Sequence, residues 1–368
     1  MKDFVIKNGK KLRCGFTTGT CATAAAAAAV MMIFTGKTVE SVAVTLPEGE
    51  ILFIDIVNPS FNVEGTRCYV KKDSGDDPDI TDGILVCADV RLDDTGKINI
   101  EGGSGVGRVT QKGLDQPVGE AAINSVPRKM ISENIEKICR QYKYYGGITV
   151  IISVPDGEKI AKKTFNPNLG IIGGISIIGT TGIVEPMSEK ALIDSLKLEM
   201  NVIKEKGYDK LIAFPGNYAE KFLGEQLGIR GENRLKFSNY LGDVLDFAVE
   251  LKFREILIVG HIGKMVKVAG GMMNTHSHNG DFRMEMLSCY AALYGANSDI
   301  IYEILSCLTT EQALNILERE NIHYKVIGKL SEKAEYYINK RLDNKIKAKL
   351  IIYSNNHGIL NKQTKTEV

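Results

Sequence analysis

Short apolar runs bounded by glycine alternate with longer amphipathic stretches along this chain. Runs 39–46, 51–57 and 64–71 are β-branched and alternate with polar residues, so they predict successive strands, with Pro47-Glu48-Gly49 as a tight turn. Runs 84–90 and 97–101 predict two more. An amphipathic helix is expected over 130–142, ended by Tyr145-Gly146-Gly147, and a domain boundary is placed there.

Beyond it the rhythm changes. Apolar runs 148–154, 210–214, 235–237 and 255–259 alternate with helical patterns at 188–206 and 240–252. Strands alternating with helices predict a parallel, doubly wound sheet. The expected architecture is therefore α/β: an α+β domain over 1–146, then a mostly parallel α/β domain over 147–368. Helices dominate from Phe282 to about Asn344, 349–353 is a last strand, and 362–368 a frayed polar tail.

One stretch organises this reading. Gly173-Gly174-Ile175-Ser176-Ile177-Ile178 is a short buried strand, and Gly179-Thr180-Thr181-Gly182 a turn rich in bare N–H groups and hydroxyls. Ser188 is placed to cap the helix that follows. In an open α/β sheet such a loop lies at the carboxyl edge, where ligands bind. Loops 179–185, 214–218 and 260–264 are expected to converge on that edge. An ordinary strand-to-helix turn is the plainer alternative.

Two further stretches carry candidate chemistry. Six alanines follow Thr18-Gly19-Thr20-Cys21-Ala22-Thr23 and favour a helix capped by Thr18 or Thr20. With Arg13 just upstream, its N-terminus is a candidate carboxylate or phosphate seat; a small helix packed tightly on a sheet is the alternative. Lys72 to Gly83 is the densest acidic cluster. It resembles a calcium loop, but Asp82 stands where the sharp turn requires glycine, so a solvated turn is expected, with a metal seat or a general base facing a ligand as the alternatives.

Gly102-Gly103-Ser104-Gly105-Val106-Gly107 lacks the helix that a dinucleotide fingerprint requires, although Arg108 and Lys112 could hold carboxylates. Residues 117–129 form an irregular connector. In the second half His261, Lys264 and Met265 share a helical face. His276, His278 and Asp281 form H-x-H-x-x-D, a pattern that hints at a hydrolytic metal site; histidines capping the backbone are the alternative.

Composition narrows the function only slightly. The 368 residues are 44% hydrophobic and 25% charged, with a net charge of +1, so nothing global favours nucleic acid. The seven dispersed cysteines lack C-x-x-C spacing and suit reduced thiols in a cytoplasm. Met1-Lys2-Asp3-Phe4 has no apolar signal core, and the uncharged run 24–34 is shorter than a membrane span.

Taken together, these motifs resemble the cobalt-precorrin-5B C(1)-methyltransferase family (CbiD) of anaerobic cobalamin biosynthesis. The matching stretches are LRCGFTTGTCATAAAAAA (12–29), KDSGDDPDIT (72–81), GGSGVGRVT (102–110), PVGEAAINSVPRKM (117–130), GGISIIGTTGIVEPMSE (173–189), FPGNY (214–218), FSNYLG (237–242) and VGHIGKMVKVAGGMMNTHS (259–277). His278 departs from the family pattern, which has a basic residue there; that favours cation-to-carboxylate contact over a metal, while Asp281, Arg283 and Glu285 fit.

The resemblance implies S-adenosylmethionine as methyl donor, and a cobalt-containing corrinoid as acceptor that becomes cobalt-precorrin-6A. The cobalt rides in the substrate, so no protein-bound metal is required. The implied donor seat is Gly174, Thr180, Thr181, Gly182 and Glu185. Arg13, Thr17, Thr18, Arg108, Lys112, Arg128, Lys264 and His276 would meet the ring and its carboxylates. Asp76, His261 or Asp281 would take a proton. This reading needs the Thr180–Glu185 bend and the His261–Asp281 segment to share one cleft. No membrane is implied, and a homo-oligomer is compatible. A metal-dependent hydrolase on His276, His278 and Asp281, and a non-catalytic corrinoid carrier, are the competing readings.

Overall fold

The computed structural model describes residues 3–7 and 9–361; the expected tail at 362–368 lies outside them. The chain divides into two units, Met1–Glu189 and Lys190–Val368.

The N-terminal unit opens with a hairpin, β1 (Phe4–Lys7) and β2 (Lys10–Arg13), and the short β3 (Gly15–Phe16). Then comes α1 (Thr18–Thr35), with every residue from Thr18 to Val30 buried. Its N-cap is Thr17, one residue before the first of the two expected caps. Strands β4 (Ser41–Thr45) and β5 (Ile51–Asp55) form a hairpin beside it. The central sheet follows from β6 (Val57–Phe61), which the sequence did not announce, β7 (Thr66–Lys71), β8 (Leu85–Asp93) and β9 (Ile98–Gly102).

Short strands β10 (Gly105–Val106) and β11 (Arg108–Val109) precede α2 (Ser125–Gln141). That helix starts five positions before the expected 130. Pro127 sits in its first turn, where a missing N–H costs nothing. Strand β12 (Gly147–Ser153) inserts between β8 and β9, giving the order β6-β7-β8-β12-β9. The boundary expected after residue 146 is thereby corrected: a strand bonded on both sides cannot open another domain, and the division falls after Glu189. Helix α3 (Gly157–Ala161) and strands β13 (Ile171–Ile172), β14 (Gly174–Ile175) and β15 (Ile183–Val184) complete the unit.

The alanines of α1 now have a physical reason. The helix touches β7, β8, α2 and β4, so it is enclosed on several sides, and small side chains let its backbone approach each neighbour closely. It is long and apolar enough to cross a membrane by length and composition, contrary to the shorter run counted from sequence. Here it forms the core of the unit.

The C-terminal unit begins with α4 (Glu189–Glu205), then β16 (Lys210–Phe214), α5 (Asn217–Glu225), β17 (Arg234–Lys236), α6 (Leu241–Glu250), β18 (Glu255–His261) and α7 (Ile262–Ala269). Helices α8 (Arg283–Leu293), α9 (Ser298–Leu305), α10 (Thr310–Arg319) and α11 (His323–Arg341) lead to β19 (Lys347–Ser354) and the short β20 (Gly358–Ile359). The sheet order is β17-β16-β18-β19-β20, parallel except for the last pair. Alternate residues face opposite cores. Leu211, Ala213, Ile256, Ile258, Leu350 and Ile352 pack on one side; Ile212, Phe214, Leu257, Val259, Ile351 and Tyr353 pack on the other. A strand covered on both faces must be apolar at successive positions, which explains the unbroken runs.

The three loops expected to converge are divided between the two units. Loops 214–218 and 260–264 do end neighbouring strands of the parallel sheet. Loop 179–185 belongs to the N-terminal unit, where β15 pairs with β3.

Candidate functional site

In the N-terminal unit the threonines around α1 are engaged with the 178–182 loop. Thr17 N and the Thr20 hydroxyl both donate to the Gly182 carbonyl, at 3.0 and 2.7 Å. Gly19 N donates to Ile178 O at 2.9 Å, and the Thr18 hydroxyl bonds both the N–H and the carbonyl of Ile178. Thr17 Oγ1 accepts from Thr20 N. The loop thus supplies partners to a helix end that would otherwise offer its N–H groups to an anion.

The proposed donor seat divides accordingly. Gly182 has φ +87, and a Cβ there would meet Leu46 Cδ2 at 2.6 Å and Thr20 Oγ1 at 3.0 Å. Gly174 pairs with Gly105, and a Cβ on it would strike the Gly105 carbonyl. Both glycines permit a close approach that a Cβ would block, Gly174 to the backbone of Gly105 and Gly182 to the side chains of Leu46 and Thr20. Thr181 bonds locally to Ile183. Thr180 and Glu185 are exposed.

The acidic loop satisfies itself. Arg13 forms a fork with Asp73 at 2.6 and 2.8 Å, which holds the Asp73 carboxyl below its ordinary value despite partial burial. Asp76 Oδ2 accepts from Arg13 N at 2.6 Å, and Arg13 O accepts from Asp76 N at 2.9 Å. Asp77 accepts from Met187 N, and Asp82 from Ser74 N. Lys72, almost wholly buried, pairs with Asp79 at 2.7 Å and bonds Ser74.

The remaining basic candidates of this unit differ in availability. Arg128 donates to the carbonyls of Ile123, Ile100 and Ala121 at 2.9, 2.8 and 3.5 Å. It ties the start of α2 to the sheet through neutral acceptors. Arg108 pairs with Glu101 at 3.1 Å and bonds the Gly119 carbonyl. Lys112 is exposed.

In the C-terminal unit, His261 ends β18 and caps α7. Its Nδ1 accepts from Gly263 N at 3.1 Å. Its Nε2 lies 3.1 Å from Glu311 Oε1. Because Nδ1 accepts, the proton belongs on Nε2, facing Glu311. Glu311 also accepts from the Ser354 hydroxyl at 2.7 Å and from Asn355 N at 3.2 Å. His261 therefore fixes a turn, with both ring nitrogens engaged in this arrangement. Sequence inspection missed Glu311 and Ser354. Glu311 looks there like any acid in the first turn of a helix, and α10 does start with a capping box of Thr309 and Gln312.

Lys264 reaches from α7 to Ser238 O and Asn239 Oδ1, both at 2.8 Å. Burial pushes its ammonium down to about 8, and the charge of Lys267 adds to this. Ser238 holds a left-handed φ of 56°, rare for a residue with a Cβ. Asn239 also accepts from the Thr275 hydroxyl, and its carbonyl from Thr275 N. The stretches 237–240, 260–264 and 274–276 are brought together in this unit.

The H-x-H-x-x-D residues do not gather around a common centre. His276 Nδ1 accepts from His278 N and caps a short turn, the two rings stacking at 5.2 Å. Asp281 forks onto Arg283 at 2.7 and 2.6 Å, and that hydrogen bond takes its carboxyl down to about 2. A group held there is a poor proton acceptor at neutrality.

The CbiD family model matches residues 5–186, and a model described as its C-terminal domain matches 274–364. The chain is 45% identical to the cobalt-precorrin-5B C(1)-methyltransferase of Ruminiclostridium cellulolyticum, over 96% of this chain and 92% of that one. It is 46% identical to the protein of that name from Alkaliphilus oremlandii, over 97% and 98%. A crystal structure described as a cobalamin biosynthesis protein (cbiD) from Archaeoglobus fulgidus is 32% identical, covers 75% of this chain and 87% of its own, and superposes with a TM-score of 0.43. On matches that span nearly its whole length, this chain belongs to the CbiD family.

Proposed function

We propose that this protein is the methyltransferase that alkylates C-1 of cobalt-precorrin-5B in cobalamin biosynthesis, with S-adenosylmethionine as the donor. The observation that carries the reading is the near full-length identity of 40–46% to methyltransferases of that name. A cytoplasmic setting fits seven cysteines that are all free thiols.

The transfer needs a sulfonium carbon held in line with the ring carbon, so positioning supplies much of the rate. The electron pair of the ring carbon forms the new C–C bond, the S–C bond breaks, and the thioether leaves neutral. Arg108, Lys112, Lys264 and His276 are the proposed partners of ring or donor carboxylates, being cations or polar groups not wholly engaged with carboxylates of their own. Among the three acids and bases named from sequence, Asp76 keeps one carboxylate oxygen outside its pairing with Arg13 and is exposed, so it is the proposed proton acceptor.

Incubating the purified protein with S-adenosylmethionine and cobalt-precorrin-5B should add one methyl mass to the corrinoid. Failure to gain that mass, with no donor binding by calorimetry, rejects the reading. Ring binding without turnover in the presence of donor would instead indicate a carrier.

A further inference from the structure

The C-terminal sheet reverses direction at one place. From β16 the chain moves outward to β17, then returns past β16 to β18 and continues to β19. In open α/β sheets, ligands bind in the crevice outside the carboxyl ends of the strands at such a switch point. Here those ends belong to β16 and β18, and the turns opening α5 and α7 follow them directly.

Lys264 spans this edge. It leaves α7, which follows β18, and bonds the turn after β17 on the far side of β16. Both acceptors, Ser238 O and Asn239 Oδ1, are neutral. One turn further along α7, Lys267 is 5% exposed and donates to the Gly280 carbonyl at 2.9 Å, again neutral. Neither lysine has a carboxylate within ion-pair distance among the described residues; Asp281, forked onto Arg283, also feels the charge of Lys267, whereas Lys264 has neutral partners alone. Half-burying the Lys264 ammonium against neutral oxygens alone is costly, and the Ser238 backbone is strained in the same cluster.

We propose that this edge is a carboxylate seat, in which a ligand carboxylate pairs with Lys264 while Ser238 O and Asn239 Oδ1 hold the ammonium in place. The inference rests on the methyltransferase reading for its two sources of carboxylate: the amino-acid end of the donor, and an acetate or propionate arm of the corrinoid.

The test measures Lys264→Met and Lys264→Arg beside the wild-type protein, after melting curves confirm that each variant folds. Calorimetry is run with S-adenosylhomocysteine and its decarboxylated analogue, and with cobyrinic acid and its heptamethyl ester. Lys264→Met should weaken one carboxylate ligand at least tenfold while leaving its carboxylate-free analogue within twofold, and Lys264→Arg should restore most of the loss. Whichever pair responds names the source. A second measurement needs neither ligand: acetic anhydride labelling, mapped by mass spectrometry, should show succinate protecting Lys264 more than exposed lysines such as Lys112. If no donor or corrinoid binds but succinate protects, the methyltransferase reading fails and the seat stands. Unchanged affinities for both carboxylate ligands in Lys264→Met, or no protection by succinate, overturn the seat.

Discussion

The Thr20 hydroxyl on α1 donates to the Gly182 carbonyl at 2.7 Å, joining positions 162 residues apart. The two most conspicuous small-residue motifs of the sequence, Thr17-Thr18-Gly19-Thr20 and Gly179-Thr180-Thr181-Gly182, are therefore halves of one construction. Its strength is measurable. Gly182→Ala adds a Cβ at positive φ against Leu46 and Thr20, so it should cost about 2–4 kcal/mol by strain and overpacking. Thr180→Ala, at an exposed site, should stay within about 0.5 kcal/mol. Denaturant melts of both variants settle this; equal stability for the two would refute a structural role for Gly182.

The Lys72–Asp79 pair predicts a larger loss. Lys72 has a side chain only 2% exposed, so Asp79→Asn strands an enclosed charge and should destabilise by about 3–5 kcal/mol. Burial raises the Asp79 carboxyl, but the hydrogen bonds from Lys72 and Thr81 outweigh it and leave it below 3.8. A depressed folded value contributes stability above the unfolded value, lost as pH falls through the folded one. The wild-type acid transition below about pH 4 should therefore flatten in Asp79→Asn. An unaltered acid limb in that variant contradicts the assignment.

Lys264 acts in the opposite pH range. Its folded value of about 8 lies below the ordinary 10.5, so between those values the unfolded chain binds more protons. Stability should rise from pH 8 to about 10.5, and the rise should vanish in Lys264→Met. Parallel curves for the two proteins over that window would show that this ammonium titrates normally.

Glu311 ties together His261, Ser354 and Asn355. Glu311→Ala leaves three polar groups short of a partner and should cost about 1–3 kcal/mol, with Glu311→Gln recovering part of it. If the Ala variant melts with the wild type, the network has no structural weight.

Asp281, held at about 2 by Arg283, should not be the group whose ionisation limits the reaction near neutrality. Asp281→Asn should keep the pH–rate profile of the parent between pH 5 and 8, roughly the range a base tuned to neutral operation would control. Disappearance of an acidic limb from that profile would make Asp281 the base after all.

Local pattern was informative where a short stretch decides its own environment. The run 210–214 is read as a strand and is β16; Gly270 ends α7 because helix interiors disfavour it. The parallel sheet followed from alternation of strands and helices. Local pattern misled where partners lie far off in sequence. Run 148–154 looks like the first strand of a new sheet because a buried strand reads the same in any sheet; only pairing with β8 and β9 assigns it. At 174–182 local pattern does not separate two roles, because close packing of backbone and binding of a ligand both demand small residues and hydroxyls.

The sequence by itself determined the class of the longer elements, the helical state of the alanine run and the family. These depend on side-chain period, size and residue identity, all local properties. The tertiary structure alone decided which hydroxyls, carboxylates and cations are already satisfied within the chain. Thr20 meets Gly182, Arg128 meets three carbonyls and Glu311 meets His261, whereas Lys264 meets only neutral oxygens. Hydrogen bonding requires approach to about 3 Å, and no pattern along the chain encodes distance between residues far apart in sequence.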